Sequence, residues 1–166
     1  MKTLILVRHA KSAWPDVSVP DYERPLENQG VEDSIQIGKY LKTKVPNPDY
    51  IITSGAKRTL ETAQIISTEL FNQPIALNIN KLIYGASINE MKNLIKNFNQ
   101  KYKNIMVVGH NPTMTLLINE ISNASIDHVP ELGTAIINYN INHWIDFKCP
   151  GELIEFIYPE KLNLIS

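Results

Sequence analysis

Apolar and polar positions along the chain alternate between two spacings, one typical of strands and one typical of helices. Short apolar runs predict buried strands, whereas apolar residues three and four positions apart predict amphipathic helices. The helical spacing is clearest at Met91, Leu94, Ile95 and Phe98. The strands predicted in this way cover residues 2–7, 50–53, 75–79, 105–108, 134–141 and 152–158, and the helices cover residues 30–44, 56–70, 91–98 and 112–121.

The order of these elements predicts a single α/β domain that spans residues 1–166. Strands alternate with helices through the first two-thirds of the chain, which is typical of a mostly parallel sheet. Ser54 and Asn111 precede two of the helices and are predicted to cap them, with Pro112 as the first helical residue after Asn111. No internal repeat or linker divides the sequence. Because ligands of such sheets collect beyond the carboxyl ends of the strands, candidate chemistry is expected there.

Composition narrows the classes of function without selecting one. The chain has 166 residues, of which 43% are hydrophobic and 20% are charged, and its formal net charge is −1. This balance lacks the basic excess on which non-specific nucleic-acid binding depends. The N-terminal apolar run, residues 3–7, is too short for an export signal, and about 18 consecutive apolar residues, as a membrane span would need, occur nowhere. We therefore expect a cytoplasmic protein, in which the single Cys149 is a small apolar residue in reducing surroundings.

Two of the predicted strands end in the same chemistry. The first runs into Arg8 and His9, and the strand at 105–108 runs into Gly109 and His110. A lone histidine near a strand end is more often structural, but two at equivalent ends, one of them beside an arginine, favour function. A zinc ion would need a third ligand and would be repelled by Arg8. An anion site fits better, and neither a metal nor a cofactor is expected.

These residue types suit phosphoryl transfer. A neutral imidazole can attack phosphorus and carry the phosphoryl group covalently, provided that the other ring nitrogen is held by a partner such as a backbone carbonyl. Nearby cations favour the neutral ring because they raise the cost of protonating it, and they also neutralise the oxygens of the transferring group. Arg8 supplies one guanidinium. Arg58, in the first turns of the helix after residues 50–53, either supplies the second or is a solvated surface residue.

Four segments together resemble the motifs of the histidine phosphatase superfamily, in particular its small SixA-type phosphohistidine phosphatases. They are LVRHAKSAW, DYERPLENQG, TSGAKRTLETA and VVGHNP, and they occur in the family's order and spacing. The terminal PEKL is similar to that group too, so the resemblance covers nearly the whole chain. It implies a phosphoglycerate mutase-like fold, a single three-layer αβα domain with a mostly parallel central sheet.

The resemblance also implies roles for individual residues. His9 would be the nucleophile that is transiently phosphorylated, and Arg8 and Arg58 would clamp the phosphoryl oxygens. His110 would hydrogen-bond the same group from the second strand. Two further residues, Ser12 near the phosphate and Arg24 at the pocket rim, are expected to bind substrate, although Ser12 could simply cap a turn and Arg24 could be structural.

One position departs from the family pattern. SixA-like chains often have Tyr-Glu in the loop where this chain has Tyr84-Gly85, so that Gly85 stands at the expected carboxylate proton donor. The nearby Glu90 has capping-box spacing with Ser87, which favours a structural role. The remaining candidates lie in the long polar stretch at residues 8–29: Asp16, Asp21 and Glu23.

The missing acid bears on the substrate. An ester leaves as an alkoxide and gains much from a general acid, whereas the imidazole that leaves a phosphohistidine is far less basic. We therefore expect a protein phosphohistidine as substrate. The alternatives are a broad phosphomonoesterase acting on small metabolites with the same four residues, and, less favoured, a non-catalytic phosphate-binding module.

Overall fold

A computed structural model describes residues 1–148 and 150–166 of the chain, so Cys149 and the interpretation attached to it lie outside the described residues. Strands and helices alternate as the sequence pattern predicts. In chain order the elements are β1 (Lys2–Arg8), α1 (Asn28–Lys44), β2 (Tyr50–Thr53), α2 (Lys57–Phe71), β3 (Asn78–Ile79), α3 (Ile88–Lys96), β4 (Asn104–Gly109), α4 (Thr113–Ile121), β5 (Thr134–Tyr139), β6 (Glu152–Ile157) and α5 (Pro159–Ile165).

The strands form one mostly parallel sheet in the order β3-β2-β4-β1-β5-β6, counted over the described residues. β1, β2, β3 and β4 pair in parallel, whereas β5 runs antiparallel to β1 and β6 antiparallel to β5. In the pairing of β1 with β4, Arg8 lies opposite Gly109. The two strands that precede His9 and His110 therefore end at the same level and at the same edge of the sheet.

Alternation along β1 divides the core between the two faces of the sheet, since successive strand side chains point to opposite faces. Leu4 and Leu6 pack with residues of α3 and α4. Ile5 and Val7 pack with residues of α1, α2 and α5. Helices therefore cover both faces, and the three-layer αβα architecture predicted from the sequence is confirmed.

The differences from the predicted elements are local. β3 has only two residues, Asn78 and Ile79, because the preceding residues at 75–77 do not pair with β2. The prediction that Ser54 caps α2 is wrong, because the N-cap residue is Ala56. The Ser54 hydroxyl instead contacts His110. None of the described helices is long and apolar enough to cross a membrane.

The predicted start of α4 is wrong by one residue. Pro112 is the N-cap residue rather than the first helical one, and a cis peptide bond joins it to Asn111. Asn111 still serves this helix end, since its side-chain oxygen accepts hydrogen bonds from the backbone N–H and the hydroxyl of Thr115 at 3.1 and 3.0 Å.

The burial of β1 predicts the effect of truncating one of its leucines. Leu6 is fully buried, so Leu6→Ala should lower the free energy of unfolding by about 2–5 kcal/mol through lost burial and a residual cavity. Leu164→Ala in α5 is the matched control, because its side chain is 86% exposed and its loss should change stability by less than about 0.5 kcal/mol. Urea denaturation followed by circular dichroism measures both, and equal effects would contradict the core described above.

Candidate active site

The candidate site lies at the carboxyl edge of the sheet, where β1 and β4 end side by side. The backbone N–H of His9 donates to the carbonyl of Gly109 at 3.1 Å, which ties the two strand ends together. As a result the rings of His9 and His110 lie 5.4 Å apart, centroid to centroid. They border a cavity of about 350 Å³ whose lining residues are Arg8, His9, Asp21, Arg58, Tyr84, Gly85, His110 and Asn111.

His9 is held in one defined tautomer. Its Nδ1 lies 2.8 Å from the carbonyl oxygen of Ala10. Because a carbonyl only accepts, Nδ1 must carry a proton and donate it, which leaves Nε2 unprotonated when the ring is neutral. Burial lowers the pKa of His9 to about 4, and the positive charges of Arg58 and Arg8 lower it in the same direction. The ring is therefore neutral at physiological pH, as nucleophilic attack requires.

Arg58 is buried in the pocket and is not a solvated surface residue. The residue is only 6% exposed, and its Nη1 and Nη2 donate to the backbone carbonyl and the carboxylate of Asp21 at 2.7 and 2.9 Å. The sequence leaves open whether Arg58 lies in the pocket or at the solvated surface. Arg58 is the second residue of α2, which begins four residues after the end of β2, so it lies near the same edge of the sheet as His9 and His110.

Arg8 approaches the cavity from β1. Its Nη1 donates to the carbonyl of Val129 at 3.0 Å and lies 3.4 Å from Nε2 of the exposed His128. The Nε atoms of Arg8 and Arg58 are both buried without a hydrogen-bond partner among the described residues. Unpaired buried donors are costly, and two of them on the arginines of one cavity indicate a site prepared for an anion.

His110 faces His9 across the cavity and is buried. Its Nε2 lies 2.7 Å from the Ser54 hydroxyl, and its Nδ1 lies 3.5 Å from Nη2 of Arg58. Burial lowers the pKa of His110 to about 3, with further lowering by His9 and Arg58 and an opposing effect of Asp21. Tyr84 packs edge-on against the ring at a centroid distance of 5.3 Å.

Asp21 is the one of the four candidate acids that lines the cavity, among the residues that the structure describes. Its Oδ2 accepts hydrogen bonds from the Tyr84 hydroxyl at 2.6 Å and from Arg58, and its Oδ1 accepts from Arg24 at 3.2 Å. These partners, Tyr84 first, hold the pKa of Asp21 at about 2. In the free site Asp21 is therefore an ionised carboxylate and not a proton donor.

The other candidate acids have structural partners or lie apart from the cavity lining. Glu90 and Ser87 form the capping box of α3 that their spacing predicts. Asp16 accepts a hydrogen bond from the backbone N–H of Ser18 at 2.8 Å. Glu23 belongs to the same short 3-10 helix as Asp21, Asp21–Glu23, but is not among the lining residues.

Ser12 and Arg24 lie beside the cavity and are not among its lining residues. Arg24 donates from Nη2 to the Ser12 hydroxyl at 3.0 Å and from Nη1 to Asp21, and it stacks over Trp14 at 4.4 Å. Both residues therefore reach the site through Asp21 rather than by facing the cavity themselves.

Two groups at the site had no predicted functional role. Tyr84 precedes Gly85, which stands at the position of the missing carboxylate. Only the fold shows that the Tyr84 hydroxyl donates to Asp21, which lies 63 positions away in the sequence. Ser54 was interpreted as a helix cap. Neither a capping serine nor a loop tyrosine carries a local signal for these contacts.

Comparison with known proteins places these features in a family context. Residues 4–79 match the histidine phosphatase superfamily (branch 1). An uncharacterised chloroplastic protein of Arabidopsis thaliana is 28% identical over 134 residues, which cover 75% of this chain but only 61% of the plant protein.

Many similar solved structures cover nearly the whole chain, and two illustrate the likeness. One is the protein provisionally named phosphohistidine phosphatase SixA of Agrobacterium tumefaciens, which is 27% identical, covers 95% of this chain and 98% of its own, and has a TM-score of 0.77. The other is a protein histidine phosphatase SixA in complex with tungstate, with 17% identity, a TM-score of 0.81, and coverage of 96% of this chain and 99% of that one.

The environment of His9 predicts how its ring titrates. In the folded protein the ring should gain its proton with a midpoint near pH 4, well below the ordinary value of 6.5. Since the unfolded chain then binds more protons between these values, His9 lowers the stability of the fold as the pH falls through that window. Histidine NMR signals followed against pH measure the midpoint.

Replacing a neighbouring cation gives the control for this titration. Arg58→Gln removes one positive charge near the ring and should move the midpoint of His9 upward. A wild-type midpoint at the ordinary value, or a downward shift in the variant, would contradict the electrostatics of the site.

Proposed function

We propose that this chain is a member of the histidine phosphatase superfamily, whose model matches residues 4–79, and that it is a phosphatase that works without a metal, through a covalent phosphohistidine on His9. One observation carries the proposal. The Ala10 carbonyl fixes the Nδ1–H tautomer of His9, which leaves Nε2 unprotonated, and the residue lines a cavity bordered by two arginines. A nucleophile with a lone pair beside an anion pocket is the arrangement that phosphoryl transfer to histidine requires.

The first step transfers the phosphoryl group to His9. The Nε2 lone pair attacks phosphorus, the bond from phosphorus to the leaving atom breaks, and the leaving atom keeps that electron pair and takes up a proton. Arg8 and Arg58 neutralise the oxygens of the transferring group, where electrostatic stabilisation contributes most to catalysis. The Nδ1–H bond to Ala10 favours the positive charge that the ring acquires as it is phosphorylated.

The second step returns the ring to its starting state. A water molecule attacks phosphorus, the P–N bond breaks, and its electron pair returns to Nε2 of His9. One proton of the water balances the proton that the leaving group took up, so inorganic phosphate and the dephosphorylated substrate are the products. The positive charge for both steps comes from the guanidinium groups of Arg8 and Arg58, which line the cavity.

We assign the substrate to protein phosphohistidine. The carboxylate that lines the cavity, Asp21, is ionised, and Gly85 stands where SixA-like chains often have a glutamate. The site therefore lacks a carboxyl group ready to protonate an alkoxide, and this lack disfavours phosphate esters more than phosphoramidates. A similar structure is described as a protein histidine phosphatase, which supports the same class of substrate for this chain.

Removing the nucleophile tests the covalent mechanism. His9→Ala should abolish turnover and phosphoenzyme formation, since losing a nucleophile costs far more than losing a supporting contact. Phosphate release and ³²P labelling of the quenched enzyme measure the two effects. Turnover that stays within about tenfold of wild type would rule out a covalent intermediate on His9.

Arg58 offers a matched pair of variants. Arg58→Ala removes a charge-assisted hydrogen-bond donor worth about 1.5–3 kcal/mol, so kcat/KM should fall at least about tenfold. Lys57→Ala, one residue earlier on the same helix, removes an exposed charge and should leave kcat/KM within about twofold. Equal effects of the two substitutions would contradict the clamp role.

The substrate assignment is tested by comparing two phosphorylated compounds. A protein that carries phosphohistidine should be hydrolysed with a much higher kcat/KM than p-nitrophenyl phosphate, with His9→Ala as the blank for both. A preference for the ester would favour a phosphomonoesterase of small molecules. A folded wild-type protein that hydrolyses neither compound would favour a phosphate-binding module.

A further inference from the structure

A buried chain of hydroxyl groups contacts Nε2 of His110. Arg58 lies near the other ring nitrogen, Nδ1. His110 Nε2 lies 2.7 Å from Ser54 Oγ, and Ser54 Oγ lies 2.8 Å from Thr59 Oγ1. Thr59 Oγ1 in turn donates to the carbonyl of Ala56 at 2.8 Å, and the backbone N–H of Ala56 donates to Ser54 Oγ at 3.2 Å. Ser54 and Thr59 are both fully buried, and the Ala56 carbonyl also accepts from the backbone N–H groups of Thr59 and Leu60, each at 3.0 Å.

The direction of every bond in this chain follows from its far end. The Ala56 carbonyl only accepts, so the single hydroxyl proton of Thr59 is used there. Ser54 must then give its own proton to Thr59, and the remaining lone pairs of Ser54 accept from the Ala56 N–H and from His110. The reverse direction would leave one of these short oxygen contacts without a proton.

His110 is therefore the donor at Nε2, and its Nδ1 is unprotonated in the neutral ring. The contact of Nδ1 with Arg58 at 3.5 Å agrees independently, because a guanidinium only donates. The oxygens of a phosphoryl dianion carry no proton and are also only acceptors. They cannot hydrogen-bond to an unprotonated Nδ1, so the ring must gain a proton before it can donate to the anion.

We propose that Ser54 and Thr59 form a hydroxyl relay that positions His110 and fixes its Nε2–H tautomer, so that Nδ1 takes up a proton from solvent when a phosphoryl group binds. This inference rests on the proposed function insofar as it takes the cavity to bind phosphoryl groups. Ser54 and Thr59 act through His110 and are positioning residues. The proton balance is simple: the neutral ring, one solvent proton and the bound dianion give an imidazolium that donates to the anion.

The charged and titratable groups around His110 set when this proton is taken up. Arg8 faces it from the end of β1 and His9 from the next residue. Arg58 faces it from α2, Asp21 from the short 3-10 helix, and Tyr84 from the loop before α3. In the empty cavity, burial and the two arginines keep the ring neutral. A bound dianion brings two negative charges against Nδ1 and reverses this balance, so that His110 contributes a positive charge only when the cavity is filled.

Tungstate, a tetrahedral dianion that is not turned over, tests the inference separately from catalysis. In the free wild-type protein, ¹⁵N spectra of the histidine rings should show His110 as the neutral Nε2–H tautomer, and with tungstate both of its nitrogens should be protonated. Calorimetry in buffers of different ionisation enthalpy should show uptake of about one proton per tungstate at neutral pH. In His110→Asn that uptake should disappear.

Variants of the relay separate positioning from general destabilisation. Thr59→Val keeps the shape of the side chain, should give a mixture of His110 tautomers, and should weaken tungstate binding about 2- to 10-fold, as loss of a buried hydrogen bond predicts. Ser54→Ala should do the same, and Ser54→Thr should restore the tautomer. Thr68→Val is the control, because it removes a hydroxyl on α2 that bonds only within the helix, to the Gln64 carbonyl at 2.7 Å.

Three results would overturn the inference: the Nδ1–H tautomer at His110 in the free protein, tungstate binding without proton uptake, or uptake that persists in His110→Asn and so belongs to His9. Each could occur in an enzyme that still hydrolyses phosphohistidine through His9. Conversely, loss of the covalent mechanism would leave the tautomer and proton-uptake measurements interpretable.

Discussion

The pairing of β1 with β4 is the constraint on which the rest of the site depends. It sets Arg8 opposite Gly109, so the residues that follow, His9 and His110, leave the sheet at one level. Parallel strands present their carboxyl ends at the same edge, and the helices that follow begin there too. A shift of one residue in this register would turn one of the buried strands inside out, which links the geometry of the site to the packing of the core.

Burial of the two imidazole rings makes their protonation unfavourable, and the site depends on the neutral rings that result. Removed from water and placed beside two guanidinium groups, His9 and His110 are both neutral in the empty cavity. The two neutral rings still differ in tautomer, because each ring has a different hydrogen-bond partner. The Ala10 carbonyl directs the lone pair of His9 to Nε2, whereas the Ser54 hydroxyl directs that of His110 to Nδ1.

The strand ends, the helical faces and the capping box could be predicted from the sequence, because each depends on residues close together in the chain. It could not determine that Arg58 is buried, since an arginine in the first turn of a helix suits either surface or pocket until the packing is known. The hydrogen bond between Asp21 and Tyr84 could not be predicted from the sequence either, because Tyr84 comes from a distant loop. Ser54 shows the limit most clearly: its position before a helix suggested a cap, but its hydroxyl is used by a ring from another strand.

The ion pair of Asp21 with Arg58 raises the question of whether the carboxylate blocks the pocket. A guanidinium has five N–H donors, and Asp21 accepts one from Nη1 at its backbone carbonyl and one from Nη2 at its carboxylate. The Nε–H of Arg58 stays unpaired within the described part of the chain. Asp21 can therefore orient the guanidinium plane while donors remain for an anion. Since Tyr84 and Arg24 hold the carboxylate from its other sides, Asp21 gives a flexible side chain a fixed direction before any substrate arrives.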